Sequence, residues 1–399
     1  MKKVIIFIVL VGTLISNYNN YPKTTNTKES NKEIRSVFIS YIELNKYIKG
    51  NSKDISKKNI RKVISNIKKI KCNTIILQVR SNCDAIYKSK LYPSSMNIVL
   101  NEGDKSYDVL DLFIKESHKK KVKVIAWINP YRIRTTNDIT TISKYSPAYK
   151  YLNTDTIYIN NGIYFNPSKK EVEDLIVEGV EEVLNYKIDG LLFDDYFYPD
   201  DKIDEKDYQE YIKNNNYISS KEYRLNIINK MIKRVHSTCH KKHIKFGVSP
   251  DGNIDNNYNK NYADIKTWLS TNDYVDFIMP QIYYGFYNSS QNYTNVVHEW
   301  EELIKAKNID YYIALAFYKV GRKDLFAKEG VNEWIENDNI IMREIIISRN
   351  LINYKGFGLF RYDSLFNKDE YTNNTFKELE NMKKVLKLLI QKSSATFDI

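Results

Sequence analysis

The fold class this 399-residue chain predicts is a (β/α)8 barrel in a single catalytic-type domain. Three observations predict it. From Glu33 onward, apolar β-branched runs alternate with amphipathic stretches; the runs number eight; and polar and aromatic residues gather just beyond the C-terminal end of each run. Strands separated by helices pair in parallel through right-handed crossovers, and eight such repeats in about 350 residues close into a barrel. An open doubly wound sheet is the alternative, but no Gly-rich phosphate loop follows the first strand.

Lys2 and Lys3 precede an apolar run over 4–15, and residues 17–32 are polar and low in complexity. Residues 1–16 therefore read as a secretory signal or N-terminal anchor, too short for a comfortable membrane span, and 17–32 as a linker. Leu14, two residues before Ser16, makes a poor cleavage signature. The barrel domain is expected over 33–391, with a tail at 392–399. Strands are predicted at 36–40, 74–79, 122–128, 190–193, 246–249, 277–281, 312–317 and 356–360. Helical spacing links them, as in Ile60, Val63, Ile64 and Ile67, or Leu175, Ile176, Val180, Val183 and Leu184; a last helix is predicted over 375–391.

Apolar residues make up 42% of the chain, enough for a large core, which excludes intrinsic disorder and a disulfide scaffold. Cys72, Cys83 and Cys239 have neither paired nor zinc-finger spacing. The formal net charge of +12 suits a polyanionic neighbourhood, although codon bias in an AT-rich genome accounts for much of it. Lysines dispersed over helix surfaces, with no recognition motif, argue against nucleic acid.

A barrel gathers its chemistry where strands end. Strand one is followed by Tyr41 and Glu43; two by Gln78, Arg80 and Asp84; three by Trp127, Asn129, Tyr131 and Arg132. Strand four leads into Asp194, Asp195, Tyr196 and Tyr198; five into Asp251 and Asn253; six into Gln281, Tyr283 and Tyr284. Tyr318 and Lys319 follow strand seven, and Arg361, Tyr362 and Asp363 follow strand eight. Asp194 and Asp195 give the sharpest signal: adjacent carboxylates after a buried run, one sent inward by the alternation of the strand. Glycosidic cleavage needs one carboxyl to protonate the leaving oxygen and another to attack or to activate water, and Glu43, Asp84, Asp251 and Asp363 all reach the same rim. Tyr41, Trp127, Tyr131, Tyr196, Tyr198, Tyr283 and Tyr284 offer flat faces for sugars.

No GxSxG elbow, Walker loop or HExxH motif is present. His236, Cys239, His240 and His243 cluster, but before strand five and so on the opposite face, where they read as a solvated cationic helix terminus. Asp251, Asn253 and Asp255 mimic a calcium loop, with Asn256 at its glycine position and Tyr262 at its closing position. No metal or cofactor is expected.

Nine segments in order, among them EIRSVFISYIEL (33–44), IAWINPYRI (125–133), YFNPSKKEV (164–172), IDGLLFDDYFYP (188–199), FGVSPDGN (246–253), VDFIMPQIYYGF (275–286) and GFGLFRYDSL (356–365), resemble the bacterial glycosyl hydrolase-like 10 family over 33–366. The resemblance implies a (β/α)8 fold, an exported or lipid-anchored location and glycosidase-type activity on cell-wall glycan, notably strands stripped of peptide. It implies a catalytic carboxylate at Asp194 or Asp195, partnered by Asp251 or Glu43. Substrate contacts are expected from Arg80, Asp84, Trp127, Asn129, Tyr131, Arg132, Tyr196, Tyr198, Gln281, Tyr283, Tyr284, Arg361 and Asp363. One departure stands out: family members usually read QVRPFxDA after strand two, where this chain has Ser81, Asn82 and Cys83. The expected function is exported glycoside hydrolysis; the alternative is a noncatalytic carbohydrate-binding barrel at the cell surface.

Overall fold

The structure, a computed structural model, describes residues 33–98, 107–194, 197–214 and 217–387. The expected signal, linker and tail, together with Asp195 and Tyr196, lie outside them. Along the chain the strands are β1 (Ile34–Ile39), β2 (Thr74–Arg80), β3 (Lys123–Ile128), the short β4 (Arg132–Arg134), β5 (Ile157–Ile159) and β6 (Ile163–Phe165), then β7 (Gly190–Asp194), β8 (Phe246–Ser249), β9 (Phe277–Ile278), β10 (Asp310–Leu315) and β11 (Tyr354–Leu359). Eight of them close into a parallel barrel in the order β1–β11–β10–β9–β8–β7–β3–β2, the expected (β/α)8 fold.

Alternation along each strand divides the core in two. Phe38, Ile76, Ile125, Trp127, Leu192, Phe277, Met279, Tyr312 and Ala314 fill the barrel. The other face packs under the helices, with Val37, Ile75, Leu77, Val124, Leu191, Phe193 and Val248 outward. Helix α1 (Tyr41–Tyr47) follows β1, and α2 (Lys53–Lys69) buries Ile60, Val63, Ile64 and Ile67, the predicted stripe. Fully burying each of those side chains contributes roughly 1.5–3 kcal/mol. Helices α3 (Val109–His118), α4 (Lys170–Val183) and α5 (Ser220–His240) continue the outer layer. It ends with α6 (Tyr293–Leu303), α7 (Ile340–Ser348) and α8 (Thr375–Leu386).

Three local differences from expectation have physical causes. β9 is two residues long rather than five because Pro280 has no N–H to extend the ladder; pairing resumes at Gln281, which bridges to Asp251 and Ala314. The loop after β3 folds into an antiparallel sheet in the order β4–β6–β5, whose hairpin turns through Asn160-Asn161-Gly162. The register of β2 against β3 shifts between Gln78 and Arg80. Gln78 pairs with inward Trp127, whereas Arg80 pairs with outward Ile128, so this bulge turns the arginine out of the barrel. Cys72, Cys83 and Cys239 are free and buried. Among the described residues no helix is long and apolar enough to cross a membrane.

Candidate active site

Inward alternation on β7 passes from Leu192 to Asp194, so the carboxylate stands at the open end of the barrel, directly above the apolar filling. Three side-chain N–H groups from two other strand ends converge on it. Trp127 Nε1 and Asn129 Nδ2 donate to Asp194 Oδ2 at 3.1 and 2.8 Å, and Gln281 Nε2 donates to Oδ1 at 3.1 Å. An ionised carboxylate only accepts, so three donors suit it and hold both oxygens in a fixed plane. Behind them the amides interlock: Gln78 Nε2 donates to Asn129 Oδ1 at 2.6 Å, and Arg132 reaches the same oxygen at 3.2 Å while its Nε donates to Ser81 O at 2.8 Å. Gln78 Oε1 accepts the Tyr41 N–H, and Gln281 also donates to Ser249 O.

The carboxylate faces a cavity of about 230 Å³ walled by Tyr41, Gln78, Trp127, Arg132, Ser249, Gln281, Tyr283, Phe360 and Arg361. Gln281 and Tyr283 are also walls of a second cavity, of about 400 Å³, whose other lining includes Asp251, Asn256, Tyr284, Asn288, Gln291, Lys319, Asp324 and Phe326. The two together form a groove across the mouth, with Gln281 and Tyr283 at the junction. Tyr283 is braced edge-on by Tyr318 and tilted against Phe360.

Asp251 belongs to the second cavity and is half-buried. Its Oδ1 accepts the Asn253 N–H at 2.8 Å and its Oδ2 accepts Asn256 Nδ2 at 3.1 Å. Asn257, fully buried, fastens the surrounding turn through Asp251 N and O. Burial raises the pKa of the Tyr284 phenol well above its ordinary value, and its charge interaction and hydrogen bond with Asp251 raise it further, so Tyr284 stays a donor. Lys319 Nζ donates to Tyr283 O and pairs with Asp324, each at 2.7 Å, and Phe326 at the lip is 88% exposed.

The structure thus brings Asp194, Trp127, Asn129, Arg132, Gln281, Tyr283 and Arg361 together around the first cavity and Asp251 and Tyr284 around the second. It takes the remaining described candidates away from the groove. Glu43 is buried as the N3 residue of a capping box on α1: its Oε2 accepts Ser40 N and Oγ, and its Oε1 accepts Arg361 Nη1 and Asp363 N. All of its acceptor capacity goes to structure, and the Ser40-x-x-Glu43 spacing was the signal for it. Asp363 is buried against Tyr47 Oη (2.7 Å) and Lys46. Arg80, expelled by the bulge, lies over the Tyr92 ring at 4.4 Å and fills the space that a side chain at Gly179 of α4 would occupy. Asp84 is buried beside Arg134 Nη1 at 3.4 Å; burial raises its carboxyl above the usual range while Arg134 opposes the rise. Tyr131 and Tyr198 are core residues, the latter edge-on to Tyr262. Ser81, Asn82 and Cys83 are buried too, so the departure after strand two changes packing beneath Arg132 rather than a sugar-stacking surface. Phe360, Asp324, Asn288 and Phe326 went unmarked in the sequence; for Phe326 the available signal was a large apolar residue in the long loop after β10.

Residues 33–331 match the model of the glycosyl hydrolase-like 10 family. The chain belongs to this family. It is 31% identical to the glycosyl hydrolase YngK of Bacillus subtilis over 349 residues, which is 80% of this chain and 67% of that one. It is 27% identical to the glycosyl hydrolase DigH of Escherichia coli K12 over 380 residues, 85% of each. The PgaB (BpsB) glycoside hydrolase domain of Bordetella bronchiseptica superposes with a TM-score of 0.55 at 14% identity, over 89% of this chain and 99% of that domain, a likeness of fold. As a glycosyl hydrolase-like 10 protein the chain is an enzyme of glycosidase type, and the Asp194 groove occupies the barrel end where such enzymes carry their chemistry.

Proposed function

We propose that the protein is an exported hydrolase that cleaves O-glycosidic bonds in a bacterial cell-wall glycan, with peptide-free strands as its substrate. The observation that carries the reading is Asp194: buried, held by three N–H donors and facing a cavity open to the mouth. A preorganised anion there stabilises the positive charge that builds on the anomeric carbon as the glycosidic C–O bond breaks. Asp251, half-exposed in the adjoining cavity, is the second carboxyl and exchanges the proton with the leaving oxygen and with water. Two cavities meeting at Gln281 and Tyr283 suit successive sugars on either side of the scissile bond.

Two features support the polymer. Removing the peptide from a wall strand leaves a lactyl carboxylate on every second sugar, and Arg132, Arg361 and Lys319 line the groove. The +12 net charge favours retention in an anionic wall. Export rests on the basic start and apolar run at residues 2–15, and cell fractionation with an antibody tests it.

The test of function is mass spectrometry of products after the full chain is incubated with peptide-free and peptide-bearing wall glycans and with a neutral polysaccharide panel. Saccharide fragments are expected from peptide-free strands, and not with Asp194→Asn or Asp251→Asn. Equal turnover by the native chain and both variants overturns the carboxylate assignment. Cleavage confined to neutral polysaccharides overturns the substrate.

A further inference from the structure

At the end of the barrel opposite the Asp194 groove, two helix-to-strand junctions are built on the same partners, and one difference between them is informative. Asp189 and Asp276 each stand just before a barrel strand, β7 and β9. Each accepts the N–H of a residue at the start of the preceding barrel strand: Val124 N to Asp189 Oδ2 and Phe246 N to Asp276 Oδ2, both at 2.8 Å. Each also takes the last histidine of a helix, His118 of α3 to Asp189 and His240 of α5 to Asp276, again at 2.8 Å. One turn earlier α3 buries Ile114, whereas α5 buries His236. The first junction proves that a carboxylate, a strand amide and one histidine suffice for the tie, so the second imidazole needs another reason.

His236 is 5% exposed, and its Nε2 has no hydrogen-bond partner. Burying a polar nitrogen unsatisfied is costly. That nitrogen points at Asp276 Oδ1 from 3.6 Å, too far for a hydrogen bond, and the His236 and His240 rings lie 3.9 Å apart. His236, His240 and Asp276 each offer one ligand atom, and these lie within 4.8 Å of one another, the only such trio of metal-ligating groups among the described residues. The sequence expectation of a solvated helix end therefore holds for His240, which is half-exposed, and fails for His236, which is buried.

We propose that His236, His240 and Asp276 form a binding site for a divalent transition-metal ion, zinc in the first instance. Two histidines four apart on one helix face and a carboxylate from a neighbouring element make an N2O donor set, and tetrahedral bonds of about 2.0–2.1 Å place donors about 3.3 Å apart. The 3.6 and 2.8 Å separations from Asp276 bracket that value, so small side-chain rotations complete the set. Water takes the fourth position on the side of His240, half-exposed at 51%. Asp276 Oδ2, held by Phe246 N, orients the ligating oxygen as an outer partner would. Cys239, although next to His240 in sequence, is not among the groups that converge there. The ion pins the end of α5 to the start of β9, and its place at the far end of the barrel makes it structural.

The test uses the full chain, untagged and stripped of metal, with zinc ion alone as the probe. Equilibrium dialysis is expected to leave one zinc per chain, and zinc to raise the melting temperature. His240→Ala, at an exposed position, and His236→Ala should each weaken binding by about tenfold or more, whereas His118→Ala at the sister junction should leave it unchanged. Cobalt(II) in place of zinc should give the intense visible absorption of a tetrahedral site, a readout on the native chain that needs no variant. No bound zinc and no cobalt absorption, or undiminished binding in both His236→Ala and His240→Ala, overturns the proposal.

Discussion

The two ends of the barrel use aspartate in opposite ways. At the mouth, Asp194 receives hydrogen bonds from the side chains of Trp127, Asn129 and Gln281 and turns towards a cavity. At the floor, Asp189 and Asp276 each spend one oxygen on a strand amide and share a proton with a histidine of the outer helix. The difference follows from which end of the strand the residue occupies. At a strand start the neighbouring strand still offers an unpaired N–H, and an aspartate that takes it locks the register. At a strand end the side chains of several strands converge on empty space, and a carboxylate there is held in place without being used up. The same residue type is tied into the backbone below and presented to a cavity above.

The strongest way to break this comparison is Asp194→Asn. It preserves shape, so the melting temperature should hold within a few degrees while kcat/KM falls by about 10²–10⁴-fold; activity within tenfold of native would make Asp194 another structural aspartate. Trp127→Phe keeps the apolar filling and removes one donor from the carboxylate. The lost hydrogen bond to a charged group is worth about 1.5–3 kcal/mol, so kcat should drop roughly 10- to 100-fold with little change in KM, read from steady-state kinetics on peptide-free strands.

Asp189→Ala tests the other end. It strands the buried Val124 N–H and should cost about 1–3 kcal/mol in urea unfolding while leaving kinetic constants unaltered. A loss of activity without a loss of stability would couple floor to mouth. The smallest effect sharpens the role of donors. Glu378 of α8 is fully buried and accepts Met342 N at 3.0 Å, with Oε2 unpaired. Burial raises its carboxyl to about 7, against the opposing pull of nearby backbone amides. A carboxyl raised on folding keeps its proton in the native state, so its contribution is full below the ordinary value of 4.5 and is lost as pH rises to about 7 and beyond. Glu378→Gln should therefore stabilise the protein at pH 8 and make little difference at pH 4.5, read from urea midpoints; equal effects at both pH values would refute the burial argument.

Much of the barrel was legible because its signals are local. Period-two alternation within each run identified all eight strands, and the stripe Ile60, Val63, Ile64, Ile67 placed α2 under them. The same alternation sent Asp194 inward once the start of β7 was known. The errors arose where a strand leaves its own period. The bulge between Gln78 and Arg80 is a property of the pairing between β2 and β3, and no pattern within β2 announces it, so the arginine was read on the wrong face. Tyr131 and Tyr198 follow strand ends as polar aromatics should, yet the loops fold back and bury them. Glu43 was misread for a different reason, since its capping-box spacing was visible and competed with its position at the rim.

By itself the sequence determined the eightfold alternation of strands and helices, the supply of carboxylates, amides and aromatic rings at strand ends, and the resemblance to glycosyl hydrolase-like 10 proteins, because these depend on residue type and short-range order. Only the tertiary structure decided which of those groups meet. Asp194 is surrounded by donors from residues 127, 129 and 281, and His236 lies beside Asp276, because barrel closure juxtaposes residues 40 to 90 positions apart. Such separations are set by strand register and helix packing, long-range terms that no local pattern of side chains encodes.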